Sequence, residues 1–279
     1  MANRLSTKKR AQIVACLVEG NSIRATCRMT GAAKNTVVKL LADLGAECRA
    51  YQDRVLRNLP CKRIECDEIW SFCGMKAKNV PEEKRGEFGY GDVWTWTAIC
   101  ADTKLVPAFC VGTRDAGTGY AFMQDLADRL TERVQLTTDG HSVYLGAVEH
   151  AFGKDVDYAM LVKLYGTGDT FGVGRYSPAK CNGSRKNVVT GNPNPDLIST
   201  SYVERLNMTT RMGVRRFTRL TNAFSKKVAN LEHAVALHFF HYNFVRVHQS
   251  LKGETPAMAA GVADHVWSIE ELVSLLESN

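Results

Sequence analysis

Apolar positions along the chain change their period near residue 60. Before it they recur at helical spacing. Ser6 is placed to cap a helix whose apolar run, from Ala11 through Ile13, Val14 and Leu17 to Val18, stops at Gly20. Ser22 can cap a second helix over 23–29, and Thr30-Gly31 supplies a tight turn. A third helix over 33–44 carries Val37, Val38, Leu40, Leu41 and Leu44 inward and leaves Lys34, Asn35, Thr36 and Lys39 outward. Residues 46–60 read as a helical or extended connector that ends at Pro60. Strand-type patterning then begins. Residues 63–72 form a strand candidate, 76–91 a charged glycine-containing loop, and 93–101 with 105–112 a hairpin turning at Asp102-Thr103-Lys104. An amphipathic helix over 121–130 places Phe122, Leu126 and Leu130 in phase. A short strand at 134–138, a helix at 143–152 and a strand at 158–165 follow. Residues 166–200, rich in Gly, Asn, Pro and Ser, read as one long loop. Helix resumes at Tyr202, runs strongly over 225–247, and closes the chain at 268–276 behind a Ser268 cap.

Composition narrows the class. The 279 residues suffice for one good core and a small appended domain. The net charge of +7, from 36 basic and 29 acidic residues, is a moderate excess, and its distribution says more than its size. Lys8, Lys9, Arg10, Arg24, Arg28, Lys34 and Lys39 load the N-terminus; Arg205, Arg211, Arg215, Arg216, Arg219, Lys226 and Lys227 load the segment after Glu204. Two such concentrations point to a nucleic-acid partner. A helix, a glycine turn and a helix of the lengths above have helix-turn-helix proportions, with Lys34, Asn35, Thr36 and Lys39 where base edges would be met. The plainer reading is a three-helix cap with a solvated basic face. Nine cysteines form no CxxC pair, and several sit in apolar runs, so neither a disulfide framework nor a zinc site is expected. No signal peptide or long uncharged apolar run is evident, so no membrane partner and a reducing, cytoplasmic setting are expected.

Three carboxylates then draw the chemistry together. Asp67 sits in the apolar run Cys66-Asp67-Glu68-Ile69-Trp70, where an unpaired charge is costly and calls for a metal or a base. Asp139, in Thr138-Asp139-Gly140, stands at a strand end, although the same tripeptide is a common turn. Glu204 opens the arginine-rich helix, with Arg211 two turns on along the same side, where the pair could hold a phosphate. An exposed basic helix is the alternative there. Glu68 is the alternative ligand to Asp67; on a strand the two point to opposite faces, so only one should join a site. Asp92 and Asp102 look like turn residues, and His238 with His241 lack a third soft ligand. Three remote acids suit two Mg²⁺ ions, for which Mn²⁺ can substitute. Acids at the first and fourth strands and on a later helix predict a ribonuclease-H-like α/β fold, a mixed sheet with helices on both faces, preceded by an all-α helix-turn-helix domain. The expected boundary puts the helix-turn-helix domain and connector in 1–58 and the catalytic domain with its C-terminal helices in 59–279.

The motifs Asp67-Glu68-x-Trp70, Thr138-Asp139-Gly140-x-x-x-Tyr144 and Val203-Glu204-Arg205-x-Asn207-x-x-x-Arg211 resemble those of transposases of the insertion sequence 1 family. The ending Tyr242-Asn243, Arg246-x-His248 and Thr255-Pro256 is similar to that of many insertion-sequence transposases with an Asp-Asp-Glu site. The resemblance spans roughly residues 60 to 257. It implies Asp67, Asp139 and Glu204 as ligands of two Mg²⁺ or Mn²⁺ ions, Arg211 as their basic partner, and double-stranded DNA as substrate, both terminal inverted repeats and target. Arg215, Arg216 and Arg219 would grip phosphates, and joining two ends implies a homo-oligomer. Classical members carry an N-terminal zinc module, and this chain has no ligand set for one. A ribonuclease-H-like nuclease without strand transfer, and a helix-turn-helix regulator with an inactive catalytic domain, are the rival readings.

Overall fold

The structure is a computed structural model that describes residues 5–165, 181–219 and 221–277. Its first helices follow their caps. Ser6 accepts the Lys9 amide at the start of α1 (Thr7–Val18), and Ser22 accepts the Ala25 amide at the start of α2 (Ile23–Thr30). Gly31 ends α2 in the left-handed conformation, which costs a residue without a Cβ little. The third helix, α3 (Lys34–Val55), is twice the expected length and absorbs most of the supposed connector. The reason is a buried stripe that does not stop at Leu44 but continues through Cys48 to Gln52.

Six strands form one mixed sheet in the order β3-β2-β1-β4-β5-β6: β1 (Arg63–Cys73), β2 (Gly91–Cys100), β3 (Phe109–Gly112), β4 (Val134–Thr138), β5 (Val156–Tyr165) and β6 (Cys181–Thr190). β1 runs parallel to β4 and β4 parallel to β5; the other pairings are antiparallel. Strand β3 is shorter than expected. Before it, the backbone of Val106 is satisfied from outside the ladder, its N–H donating to Asn243 Oδ1 and its carbonyl accepting from Asn243 Nδ2 (3.0 Å each). β6 corrects the reading of 166–200 as one loop, whose residues 166–180 lie outside the described residues. Its side chains are mostly exposed on both faces, so backbone pairing is its main tie and no alternation announced it.

Register assigns the faces. Glu68 pairs with Trp96 across β1 and β2, and Trp96 packs on Phe122 of α4 (Ala116–Ala127) and Tyr144 of α5 (Val143–Phe152). Glu65 and Asp67 belong to the opposite face, which receives α6 (Ser201–Gly213). The expected helix over 225–247 begins at Val228 as α7 (Val228–Phe240) and ends in a π-helical turn, His241–Val245. Two short helices close the chain, α8 (Pro256–Ala259) and α9 (Ile269–Ser274), the latter behind a capping box formed by Ser268 and Glu271. Among the described residues no helix is long and apolar enough to cross a membrane.

Helix α3 packs along α7, and the N-terminal helices share a continuous core with the sheet. Gln52 donates to the Ala236 carbonyl (3.1 Å), and Arg10 pairs with Glu277 at the far end of the chain (3.2 Å). The two helices meet most closely at Gly45, where a Cβ would lie 2.5 Å from His233 Cβ and 2.6 Å from its Cα. Gly45→Ala is therefore expected to destabilise the fold by about 1–3 kcal/mol, read as a lower midpoint in urea. An unchanged midpoint would show that this helix pair parts at no cost.

Candidate active site

Strand β1 supplies three acids in four residues, and each has a different task. Glu65 is buried and faces α6, its Oε2 accepting the amides of Tyr202 (2.8 Å) and Val203 (3.0 Å). Those are first-turn N–H groups with no partner inside the helix. Thr200, the capping residue, leaves them free because its hydroxyl donates instead to Glu204 Oε1 (2.5 Å). Nearly two turns into α6, Asn207 Nδ2 donates to Asp67 Oδ2 (2.8 Å), while Asp67 Oδ1 accepts the Glu68 amide (2.8 Å). Both oxygens of Asp67 are thus oriented.

Asp139 lies one residue beyond the end of β4, with Oδ1 accepting the His141 amide (2.9 Å). Its carboxylate meets those of Asp67 and Glu68: one oxygen from each of the three lies within 4.8 Å of the others. This corrects the expectation that only one of Asp67 and Glu68 could join a site. The two do leave β1 on opposite faces, but β1 pairs with β4 only as far as Cys66–Thr138. Past that point no strand among the described residues covers the edge, and both carboxylates come to the one side where Asp139 stands. Glu68 is the more enclosed, its side chain 1% exposed. Arg114 Nη2 donates to its Oε2 (3.3 Å), and Oε1 has no partner. The buried Tyr144 hydroxyl stands beside the same carboxylate without forming a hydrogen bond of normal geometry.

Glu204 stands outside this trio. Its side chain is 41% exposed, and its Oε2 pairs with Lys163 of β5 (2.6 Å). It is still near enough for its charge to raise the pKa of Asp67. Arg211 does not bond Glu204; it is half-buried, donates to the Phe217 carbonyl (3.4 Å), and lies close enough to Asp67 to feel its charge. Burial, Arg219 and Asp67 act on its guanidinium, with a net lowering of its pKa.

The expected DNA contacts divide. Lys34, Asn35 and Lys39 are exposed at the start of α3 and Thr36 is half-buried; Lys39 is paired with Asp43 (2.6 Å). Arg215 and Arg219 are exposed. Arg216 turns inward, donating to Ser225 Oγ (2.9 Å), and burial pushes its pKa down to about 10. Asn207, Glu65, Lys163 and Arg114 were not assigned roles from sequence. Asn207 had a signal, three residues after Glu204 and hence on its face, and Glu65 had one, two residues before Asp67 on the same strand face. Lys163 and Arg114 had none.

Electrostatically the site is short of positive charge. Burial, and then the Asp139 charge, push Asp67 up to about 6 and Glu68 up to about 7. Burial pushes Glu65 up to about 7 against the pull of its two amides. Clustered hard oxygen donors, one of them buried and unpartnered, fit Mg²⁺ or Mn²⁺, and with no His or Cys in the trio they fit poorly to zinc.

No known protein family and no curated protein matches the chain in sequence. Among solved structures it is similar to a piggyBac transposase synaptic complex with hairpin DNA, at 13% identity and a TM-score of 0.39 over 97% of this chain and 69% of that one. The likeness is too slight to bear on the site, which stands on its own geometry.

Because the folded pKa of Glu68 lies above that of a free glutamate, the contribution of this group to the stability of the metal-free protein falls as pH rises from about 4.5 to 7 and stays low above. Buried His238 and His241, pushed down to about 3 and about 4, tilt the overall profile the other way, so the informative quantity is a difference. The Tm of Glu68→Gln relative to the parent, measured without divalent ions, should move in the variant's favour across that pH window and then level off. A gap that stays flat with pH would mean the carboxylate carries no unrelieved charge.

Proposed function

We propose that the chain is a DNA transposase of the Asp-Asp-Glu type, with a ribonuclease-H-like catalytic domain over 59–279 preceded by a helix-turn-helix domain in 1–58. The observation that carries this reading is the meeting of Asp67, midway along β1, with Asp139 just past the end of the adjacent parallel strand β4, with α6 bonding Asp67 through Asn207 and bringing the charge of Glu204 near it. The central parallel pair β1–β4, flanked by the β2–β3 hairpin, agrees with the arrangement that the resemblance implies. The glycine turn at Gly31 and the exposed Lys34 and Asn35 agree with a helix-turn-helix.

Asp67, Asp139 and Glu204 would hold two Mg²⁺ ions, with Glu68 as a further donor. Bound there, such ions supply activation of an attacking oxygen and charge stabilisation of a leaving one. The chain's own groups do the positioning. Asn207 and the Glu68 amide fix the orientation of Asp67, Glu65 fixes α6, and Lys163 pairs with Glu204. Arg211, Arg215 and Arg219 bind phosphates beside the acids. In the reaction, water attacks a phosphodiester at the element end, the new P–O bond forms as the 3′-oxygen departs, and that 3′-hydroxyl then attacks target DNA, displacing a target 3′-oxygen. Lys34, Asn35, Thr36 and Lys39 would read the inverted repeats, and two ends would be held by an oligomer.

Asp67→Asn, Asp139→Asn and Glu204→Gln, each alone, are expected to abolish Mg²⁺-dependent cleavage and joining of pre-cleaved ends while leaving binding of the DNA intact. Full activity in any one removes that residue from the site, and cleavage without joining in the parent makes the protein a nuclease. Asn207→Ala should cost about 10–100-fold in activity or Mg²⁺ affinity, seen in a metal titration of cleavage rate.

A further inference from the structure

Where the N-terminal helices meet the C-terminal end of α6 and one side of α7, the surface opens into a cleft of about 570 Å³. Two glycines make the junction close. Gly20, in the left-handed conformation after α1, approaches the Met212 carbonyl so nearly that a Cβ could not be placed, and Gly213 packs on His238, where a Cβ would lie 2.9 Å from Cε1. The inner wall is apolar, formed by Leu17, Val18, Ile23, Val38, Leu41 and Leu237. The rim is basic, with Arg24, Lys34, Arg215 and Lys226, the inward-turned Arg216 lines the cleft too, and among the described residues no acid does. Phe224 forms part of the wall, with the Lys226 ammonium 3.0 Å from its ring centre. His238 lines the cleft from a fully interior position, 4% exposed, and neither ring nitrogen has a hydrogen-bond partner among the described residues. Burial, His241 and Arg246 keep its imidazole neutral, leaving one donor and one acceptor unused.

A buried histidine with both nitrogens idle is costly unless something visits it. The visitor must offer a flat apolar body, a hydrogen-bonding edge and negative charge at its mouth. A duplex cannot enter, since its major groove alone is about 12 Å wide, but the volume suits a single small ligand of the kind that pockets of about 300–1,000 Å³ enclose. We infer that this cleft binds one extrahelical nucleotide of the DNA, its base lying among Leu17, Val38 and Leu237 beside Phe224 with its edge toward His238, and its flanking phosphates on Arg24, Lys34 and Arg215. Bases held outside a duplex are recognised in this way, by stacking and by hydrogen bonds to an exposed edge. The cleft thereby joins the two basic clusters of the chain into one surface. The inference rests on the DNA-binding part of the proposed function and is independent of the acids.

The test is fluorescence anisotropy on the full chain in EDTA, with a fully paired duplex and with the same duplex carrying one bulged nucleotide. The parent should bind the bulged duplex about tenfold more tightly. Ala234→Leu, which fills the cleft and changes no charge, should abolish the preference, and His238→Phe, which keeps a ring against Gly213 but removes the edge contacts, should reduce it. Both should keep the parent's affinity for the paired duplex. Equal affinity of the parent for the two duplexes, or a preference that survives in both variants, overturns the inference while leaving DNA binding in place. Failure to bind either duplex overturns the DNA-binding reading as well.

Discussion

Two amide hydrogen bonds at the start of α6 decide where everything else in the site can be. The Glu65 carboxylate reaches across from β1 to the N–H groups of Tyr202 and Val203, and so fixes both the position and the rotation of the helix on the sheet. A helix N-terminus carries a partial positive charge that suits an anion, which is why a buried glutamate is tolerable there at all. Once α6 is seated, residues three and seven positions beyond Glu204 share its face. Asn207 then falls on Asp67, and Arg211 comes within reach of its charge. The clamp shares a strand with the acids it serves, so a shift of β1 would carry anchor and ligand together.

That arrangement leaves the site under electrostatic tension. Three carboxylates meet at a strand edge where, among the described residues, Arg114 is the only direct cationic contact and one oxygen of the enclosed Glu68 has no partner. Such a cluster weakens the metal-free fold. It is the kind of local cost found where stability is traded for a binding task. Glu204 differs from the trio: it is half-exposed, with one oxygen paired with Lys163 and the other accepting from Thr200.

The N-terminal helices are built into this framework rather than appended to it. α3 lies against α7 through the close approach at Gly45, Gln52 bonds the α7 backbone, and Arg10 reaches Glu277. The basic start of α3 and the basic turn after α6 consequently line a common cleft. Packed structure thereby connects the N-terminal helices to the acids on β1.

Elements whose signals are local were legible in the chain. Ser6, Ser22 and Ser268 cap their helices because a side chain and an amide a few residues apart suffice for that bond, and the strand over 134–138 and the helix over 143–152 were bounded by their own patterns. The acids Asp67 and Asp139 were distinguishable from the other carboxylates by apolar or strand-end context. What the sequence could not decide depends on partners remote along the chain. β6 is a strand only because β5 offers it an edge, α3 runs on to Val55 because α7 covers its second half, and Glu68 enters the acid cluster only because β4 stops one residue short of Asp139. The roles of Glu65, Asn207 and Lys163 belong to the same class: each is a contact between elements, and a contact between elements is settled only when both surfaces are in place.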